Sequence, residues 1–481
     1  INQGTAATTI TDSGSYSGGT YTSTNEDENA LRVDGADVTL DSITVNKSGG
    51  ATSDAETGDF YGMNAALLAT NSADVTITNS EVTSSVQGGN GIFSYGTGTT
   101  VTVSDTKITT TADNSGGIQT TGGGTTYAYD LTISTSGSSA AAIRSDRGGG
   151  TVVVDGGTYT SNGYNSPAIY STADITVSDA ELTANNSEAL VVEGANSINL
   201  TDCIVSGNMS DENGTSSDEN VHNVMIYQSQ SGDAATGTSY FTMNGGTLTS
   251  NNGDVFYVTN TDAVIKLSGI TIVNNDDEGA LFTISGNSGE HGWGDKGENG
   301  ADVTLTIDDT ELEGDINVDT ISTLVLSLTG GTEFSGAVNI FDNAYNGTAV
   351  DDNAVVTIDE DSTWTLTGNC VITSLTNNGT INYGNYTITL ANGTVLSGDN
   401  TTEITSVSVE AGSEELTVTV EAGNPQNGVI IVAGYANGVL VDVAEAENGT
   451  ALLSRDCEKI KVFIWDSLEG MKPLCEAYTP E

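Results

Sequence analysis

The feature that most constrains the fold of this chain is an internal repeat. Each unit holds a short apolar strand, a polar turn, a second strand of the form Asp-Val-Thr-Ile, a corner rich in Asp, Asn, Ser and Gly, and a third strand. Four clear copies are ALRVDGADVTLDSITV (30–45), ALLATNSADVTITNSEVT (66–83), AIYSTADITVSDAELT (168–183) and ALVVEGANSINLTDCIVS (189–206). Because one such unit cannot bury its apolar face alone, the units must stack on one another.

The spacing of the repeat indicates the architecture. Val152, Ile175 and Ile198 follow one another at 23 residues, and larger gaps mark places where one loop has grown. Three short strands per turn of about 23 residues, with alternate side chains inside, predict a right-handed parallel β-helix. The expected inward residues are Val38, Leu40, Val75, Ile77, Val152, Val154, Ile175 and Val177, with Val264 and Leu267 both inward only if a one-residue bulge intervenes.

The repeat also predicts where the chain divides. From about residue 315 the repeats become shorter and richer in Leu, which we interpret as the last coils of a β-helix spanning residues 1–402. From residue 403 separated strands replace the coil period, and YANGVLV carries an Asn-Gly hairpin signal. Residues 403–481 are therefore predicted to form a small antiparallel β-sandwich of the immunoglobulin-like or fibronectin-like kind.

Charge excludes one class of partner. The chain has 11 Lys and Arg against 65 Asp and Glu, a formal net charge of −54. Nucleic acid is excluded as a partner because phosphate contacts require clustered Lys and Arg. No apolar run approaches the ~18 residues of a membrane span, so no transmembrane segment is predicted.

The cysteines do not settle the compartment. Cys203 and Cys370 lie in apolar strand patterns, where buried thiols are expected, whereas Cys457 and Cys475 share the terminal module and are close enough in sequence to pair. From the polar, acidic, Lys-poor composition we expect a secreted or cell-surface protein.

Several segments carry a family resemblance. ADVTLDSITV, ADITVSDAEL, WGDKGENGADVTLTIDDTELEGDINVD and STLVLSLTGGTEFSGAVN resemble the secreted parallel β-helix proteins of gut Firmicutes that are often called adhesin-like, within the pectate-lyase-like superfold. The tail KIKVFIWDSLEGMKPLCEA is similar to a C-terminal module of exported clostridial proteins. The resemblance implies a surface location and an elongated shape. It leaves function open, because this superfold also hosts polysaccharide lyases and hydrolases.

Catalytic signatures are weak in this sequence. A polysaccharide lyase needs basic groups near a uronate, and only Arg144 and Arg147, with Asp146 between them, are close together; we interpret them as an exposed ion pair at a strand end. A glycoside hydrolase needs two convergent carboxylates, but acids are abundant throughout. Those near the long loops are Asp276, Asp277, Glu278, Glu290, Asp295 and Glu298.

The loop SGEHGWGDKGENG holds the best candidate ligand-binding residues. Trp293 could stack on a sugar ring, with His291, Glu290 and Asp295 bonding its hydroxyls; the alternative is that Trp293 packs on the coil beneath. The long corners 46–64 and 208–239 would join this loop in one acidic, aromatic face if the insertions fall on one side. They contain Asp54, Glu56, Asp59, Phe60, Tyr61, Asp211, Glu212, Asp218, Glu219 and His222.

Oxygen-rich loops also suit Ca²⁺, for which Asp276 and Asp277 are the candidate ligands, although no EF-hand or nonapeptide array occurs. The sequence as a whole favours an extracellular bacterial adhesin or carbohydrate-binding stalk without catalytic activity. Its partner would be a glycan or a host surface protein. The alternative is a β-helix polysaccharide-degrading enzyme.

Overall fold

The computed structural model describes residues 1–209, 219–398, 402–423 and 428–480. The chain is nearly all β, with 53% of residues in strands and 2% in helix. Its described helix is the single short segment Ala55–Tyr61. The repeated units stack as coils with parallel, in-register strands, which confirms the predicted parallel β-helix.

One strand of each coil joins what we call the first sheet. These strands pair in parallel from coil to coil, for example Ile118 with Ile143 and Ile143 with Ile169. They are Thr9–Ile10, Leu31–Asp34, Leu67–Thr70, Ile92–Tyr95, Ile118–Thr121, Ile143–Ser145, Ile169–Ser171, Leu190–Glu193, His222–Tyr227, Asp254–Thr259, Phe282–Ile284, Ile316–Asp319, Val338–Phe341, Cys370–Val371 and Thr387–Thr389.

The other two strands of each coil build a second, larger sheet, in which they are sometimes continuous. Its strands are Gly14–Ser17, Thr20–Ser23, Asp37–Asp41, Thr44–Lys47, Asp74–Thr78, Glu81–Ser84, Thr100–Ser104, Lys107–Thr110, Gly124–Thr135, Gly150–Ser161, Asp174–Ser178, Glu181–Ala184, Ser197–Thr201, Ile204–Gly207, Thr238–Asn244, Thr247–Ser250, Asp262–Ser268, Thr271–Asn274, Asp302–Asp308, Thr323–Thr329, Val355–Ile358 and Ser374–Asn377.

The interior of the coils is apolar and continuous. All eight residues predicted to point inward from Val38 to Val177 are at most 3% exposed, because strand side chains alternate between the two faces. No bulge intervenes beside Val264, so Val264 is not an inward residue. Val264 is 37% exposed, and it pairs with Tyr240 and Thr304 in unbroken register, so that Ala263, Ile265 and Leu267 are the inward residues.

The polar corner within the second sheet is a column of left-handed residues. Ser42, Asn79, Asp105, Asp179 and Asp202 all have φ between 46° and 54°. This conformation is uncommon outside Gly, and Asn and Asp are the side chains that tolerate it best. The left-handed backbone conformation therefore explains why Asp, Asn and Ser recur at this corner of the repeat.

A small third sheet lies in the later coils of the β-helix, and one short strand pairing occurs at each of its two ends. The small sheet holds Glu311–Glu313, Glu333–Ser335, Thr363–Thr365 and Thr380–Asn382, and a two-stranded pair, Thr5–Ala6 with Glu28–Asn29, lies near the first residue. Parallel pairing in the first sheet continues to Thr387–Thr389, after which Val395–Ser397 pairs antiparallel.

The C-terminal part is an antiparallel β-sandwich. One sheet contains Glu403–Ala411, Glu415–Gly423 and Thr450–Ser454, and the other contains Val429–Ala436, Val439–Glu445 and Lys459–Trp465. The hairpin turn falls at Asn437 and Gly438, both with positive φ, as a two-residue type I′ turn requires. A separate apolar core, including Val418, Val432 and Leu453, fills the space between the sheets.

All four cysteines are free. Cys203 and Cys370 are buried, as predicted. The suggested Cys457–Cys475 pair is not formed. Cys457 precedes the strand Lys459–Trp465, whereas Cys475 follows Leu474, whose N–H bonds Ile464 at the far end of that strand. Within the described ranges, no helix has the length and apolar character needed to cross a membrane.

Candidate functional site

The site begins with one outward column of the first sheet. Register places Gln119, Arg144, Tyr170, Val191 and Met225 on successive coils, each next to the one before. Neighbouring strands are about 4.8 Å apart, so side chains far apart in sequence become immediate neighbours. The column is polar at Arg144 and aromatic or apolar beyond it.

The insertion 46–64 covers the start of this column. Its helix Ala55–Tyr61 begins at Asp54, whose carboxylate accepts the Glu56 N–H. Two polar side chains of the strand Ile118–Thr121 hold the helix end by its backbone: Gln119 Nε2 donates to the Asp59 carbonyl at 2.9 Å, and Thr121 Oγ1 to the Phe60 carbonyl at 2.6 Å. The loop is thus a fixed wall.

Asp59, Arg144 and Asp146 form a buried ionic cluster where this wall meets the sheet. Arg144 Nη1 donates to Asp59 Oδ1 at 2.8 Å, and Arg144 Nη2 lies 3.5 Å from Asp146 Oδ2. Asn114 Nδ2 donates to the other Asp59 oxygen at 3.0 Å. The three charged residues are only 6–8% exposed. Asp59 is therefore fully bonded, whereas Asp146 Oδ2 has a single long contact.

The environment shifts the pKa of Asp146. Burial, opposed by Arg144 and reinforced by the nearby Asp59 carboxylate, raises the pKa of Asp146 to about 7. Burial opposes the charge of Arg144, but Asp59 and Asp146 outweigh it, so the pKa of Arg144 is raised. Near neutral pH the cluster therefore holds the Arg144 cation and an Asp146 carboxyl group that exchanges its proton.

Arg147 is not the partner of Asp146 that the sequence suggested. Its side chain is 46% exposed, bonds Asp233 Oδ1 at 2.7 Å and lies 4.2 Å from the centre of the Phe60 ring. The predicted exposed ion pair of Arg144 is wrong, because insertion 46–64 covers Arg144 and supplies Asp59 as its partner. The Asp146 carboxylate accepts the backbone N–H of Arg147 at 2.9 Å, besides its long contact with Arg144 Nη2.

The loop 286–300 forms the opposite wall. Trp293 is 8% exposed and packs on Val191, Met225 and Tyr257 of the coils beneath, as the packing alternative predicted. Buried Asn287 and Asn299 both donate to the Trp293 carbonyl. The half-buried His291 ring lies 4.8 Å from the Trp293 ring and faces the same space.

A second buried acid orders the floor between the walls. Glu193 is 1% exposed and accepts hydroxyl hydrogen bonds from Tyr170, Ser229 and Tyr227, the last at 3.2 Å. Burial raises the pKa of both tyrosines well above the ordinary value, so their hydroxyls stay protonated and donate. Glu193 thereby fixes the two aromatic rings that line the floor.

A third acid has a histidine beside it. Glu188 Oε2 lies 3.1 Å from His222 Nε2, with the two side chains 5% and 0% exposed, and Ser187 Oγ donates to the other Glu188 oxygen at 3.2 Å. The His222 ring also lies 5.3 Å from the Tyr257 ring. His222 belongs to the first-sheet strand His222–Tyr227, which pairs with Leu190–Glu193, so the predicted long corner 208–239 in fact contains a strand of the floor.

Together these groups enclose a groove of about 500 Å³ on the outer face of the first sheet. Its lining combines acids, aromatic rings and amide groups, which is the combination that binds sugars through hydroxyl bonds and ring stacking. The lining residues are Glu56, Asp59, Phe60, Asn114, Ser139, Ala141, Arg144, Asp146, Asn165, Pro167, Tyr170, Glu188, Val191, Met225, Tyr227, Asp233, His291 and Trp293.

The candidates proposed from sequence divide between the groove and the outer surface. Asp59, Arg144, His291 and Trp293 line the groove. Tyr61 packs against Phe60 and Tyr95, outside the lining. Glu290 and Asp295 are exposed on the outer side of their loop. Asp211, Glu212 and Asp218 lie outside the described residues.

The calcium candidates are also apart from the groove. Asp276 accepts the N–H groups of Gly253 and Glu278, so both of its oxygens are occupied in a turn, and Asp277 is exposed. In the described part of the chain, no three His, Cys, Asp or Glu side chains are arranged to hold a metal ion.

The sequence reasoning did not select Asp146, Glu188, Glu193, Tyr170 or Tyr227. Tyr170, Glu188 and Glu193 lie in or beside AIYS and ALVVEG, which were interpreted only as coil strands, and Tyr227 lies in the predicted long corner 208–239. An acid inside ALVVEG was the available signal, because a strand carries an acid among apolar residues only where that side chain faces outward or is bonded.

Comparison with known proteins supports the fold. A family model described as "Right handed beta helix region" matches residues 41–218. No curated protein and no solved structure matches the chain. Adhesins and polysaccharide-degrading enzymes share this β-helix fold. The likeness to adhesin-like proteins and to a clostridial C-terminal module remains a prediction.

Proposed function

We propose that this protein is an extracellular glycan-binding protein, used as a surface adhesin or carbohydrate-binding stalk, and that the glycan lies in the groove of the first sheet. The groove itself carries the proposal, because two fixed loop walls and an aromatic floor meet over one column of the β-helix. A concave surface whose polar groups are held in place is typical of small-ligand sites.

Charge selects the class of glycan. Five acids line the groove, Glu56, Asp59, Asp146, Glu188 and Asp233, and the one arginine in the lining is occupied by Asp59 and Asp146. A uronate would meet this acidic surface without a free cation to pair with, and its desolvation would be uncompensated. We therefore propose neutral glycans as ligands and exclude polyuronates.

The experiment is an array of neutral, amino and uronic glycans probed with the wild-type chain and two variants. His291→Ala removes a half-buried ring from the groove wall, and we expect roughly tenfold weaker binding of neutral glycans, about 1.4 kcal/mol. Tyr240→Ala is the matched control, since that aromatic side chain is 49% exposed on the second sheet.

Two results would contradict the proposal. One is an array on which the wild-type chain binds no neutral glycan. The other is neutral-glycan binding that Tyr240→Ala weakens as much as His291→Ala, because the ligand would then lie on the second sheet.

A further inference from the structure

We propose that the groove is also a hydrolytic site, in which Asp146 is the general acid and Asp59 the general base for cleavage of a glycosidic bond in the bound glycan. This inference rests on the proposed glycan binding and adds an activity to it. Its geometric basis is that two carboxyl groups from different elements meet in one groove around a single arginine.

The separation of the two carboxyl groups suits this chemistry. Because one guanidinium contacts both, their nearest oxygens are at most about 9 Å apart, which is compatible with the roughly 5 to 9.5 Å between the carboxyl groups of glycosidases. Both residues line the groove, so a sugar lying along it passes the place where the loop wall meets the sheet.

The two carboxyl groups have different environments, which assigns their roles. Asp59 accepts hydrogen bonds on both oxygens, from Arg144 and Asn114. Asp146 has only the Arg147 N–H and the long Arg144 contact, and burial raises its pKa to about 7. A pair of acids with unequal environments is the usual arrangement for one proton donor and one acceptor.

Water is the only reactant that the cleavage requires besides the glycan. The Asp146 carboxyl group gives its proton to the glycosidic oxygen as the bond from that oxygen to the anomeric carbon breaks. A water molecule attacks the anomeric carbon and loses its proton to the Asp59 carboxylate. The products are two shorter saccharides, and proton exchange with solvent restores both acids.

The test uses the neutral glycan selected on the array and measures released reducing ends with the full chain. We expect wild type to cleave it, and Asp146→Asn to cleave at least about 100-fold more slowly while still binding the same glycan. Asn preserves the acceptor for the Arg147 N–H, which protects the fold. Asp277→Asn, an exposed acid outside the groove, is the control and should cleave like wild type.

A pH profile separates catalysis from a structural role. Because the acid must be protonated, cleavage by wild type should fall as pH rises above about 7, whereas binding should not follow the same curve. Asp59→Asn should also abolish cleavage, with circular dichroism confirming that the β-helix remains folded.

The possible failures are distinguishable. If wild type binds the neutral glycan but releases no reducing ends between about pH 5 and pH 8, hydrolysis is overturned and glycan binding stands. Full activity of Asp146→Asn would also overturn it. Absence of any bound neutral glycan would overturn the proposed function and, with it, the hydrolysis that rests on it.

Discussion

Arg144 holds the groove together at the scale of single residues, because its guanidinium joins the sheet to the covering loop through Asp59. Both side chains are 9% exposed, so each charge has lost most of its contact with water. The attraction between the two buried charges only offsets the free energy lost when both leave water. Removal of one partner, however, leaves the other charge buried without compensation.

Replacement of Arg144 should therefore be costly. We expect Arg144→Met to lower the free energy of unfolding of the β-helix by about 3 to 5 kcal/mol, because it leaves Asp59 buried and unpaired. Urea denaturation measures this. Arg147→Met is the control, with an expected loss of at most about 1 kcal/mol, since its pair with Asp233 is 46% and 22% exposed. Equal small losses in both variants would show that the Asp59–Arg144 pair does not hold the loop.

The corner of the second sheet shows how one element carries the repeat. Each coil must turn between its two strands within two residues, and the backbone does so in the left-handed region. This requirement, and not solvent exposure alone, explains why Asp, Asn, Ser and Gly recur there.

Asp179 offers a direct test of the corner, because it is exposed and has a φ of 51°. Asp179→Val should lower the free energy of unfolding by about 1 to 2 kcal/mol, since a β-branched side chain is strained in this conformation. Asp179→Gly should be neutral or slightly stabilising, since Gly adopts positive φ without strain. Thermal denaturation of both variants decides the question; a larger loss for Gly than for Val would show that the Asp side chain matters more than the backbone.

At the scale of the whole molecule, two hydrophobic cores lie one after the other along the chain. The larger fills the coils of the β-helix, and the smaller fills the sandwich. Stability in a stacked repeat is a sum of contacts between neighbours, so the sandwich core should unfold separately from the coils.

Matched leucines test this division. Leu182 in the coils and Leu453 in the sandwich are 0% and 1% exposed. We expect calorimetry to show two transitions, with Leu453→Ala destabilising only one and Leu182→Ala only the other, each by about 2 to 5 kcal/mol. A single transition that both variants shift would instead indicate one cooperative unit.

The sequence by itself determined the coil architecture, because the inward positions, the corners and the Asn437–Gly438 hairpin all follow from local pattern and backbone preference. It did not determine which way Val264 points, because Val264 and Ile265 are adjacent and both apolar, so the alternation of inward and outward residues could start at either one. It also named residues that line the groove: insertions in the repeat led to Glu56, Asp59, Phe60, His291 and Trp293, and the pair of close arginines led to Arg144.

Only the tertiary structure decided which of the many acids meet. Asp59 and Asp146 are 87 positions apart in the chain, and they share Arg144 because the stacking register places their coils together and the insertion folds back over the sheet. Sequence gives each acid the same intrinsic chemistry. Burial and neighbours, which exist only after folding, distinguish a proton-exchanging carboxyl group in the groove from a solvated one on a turn.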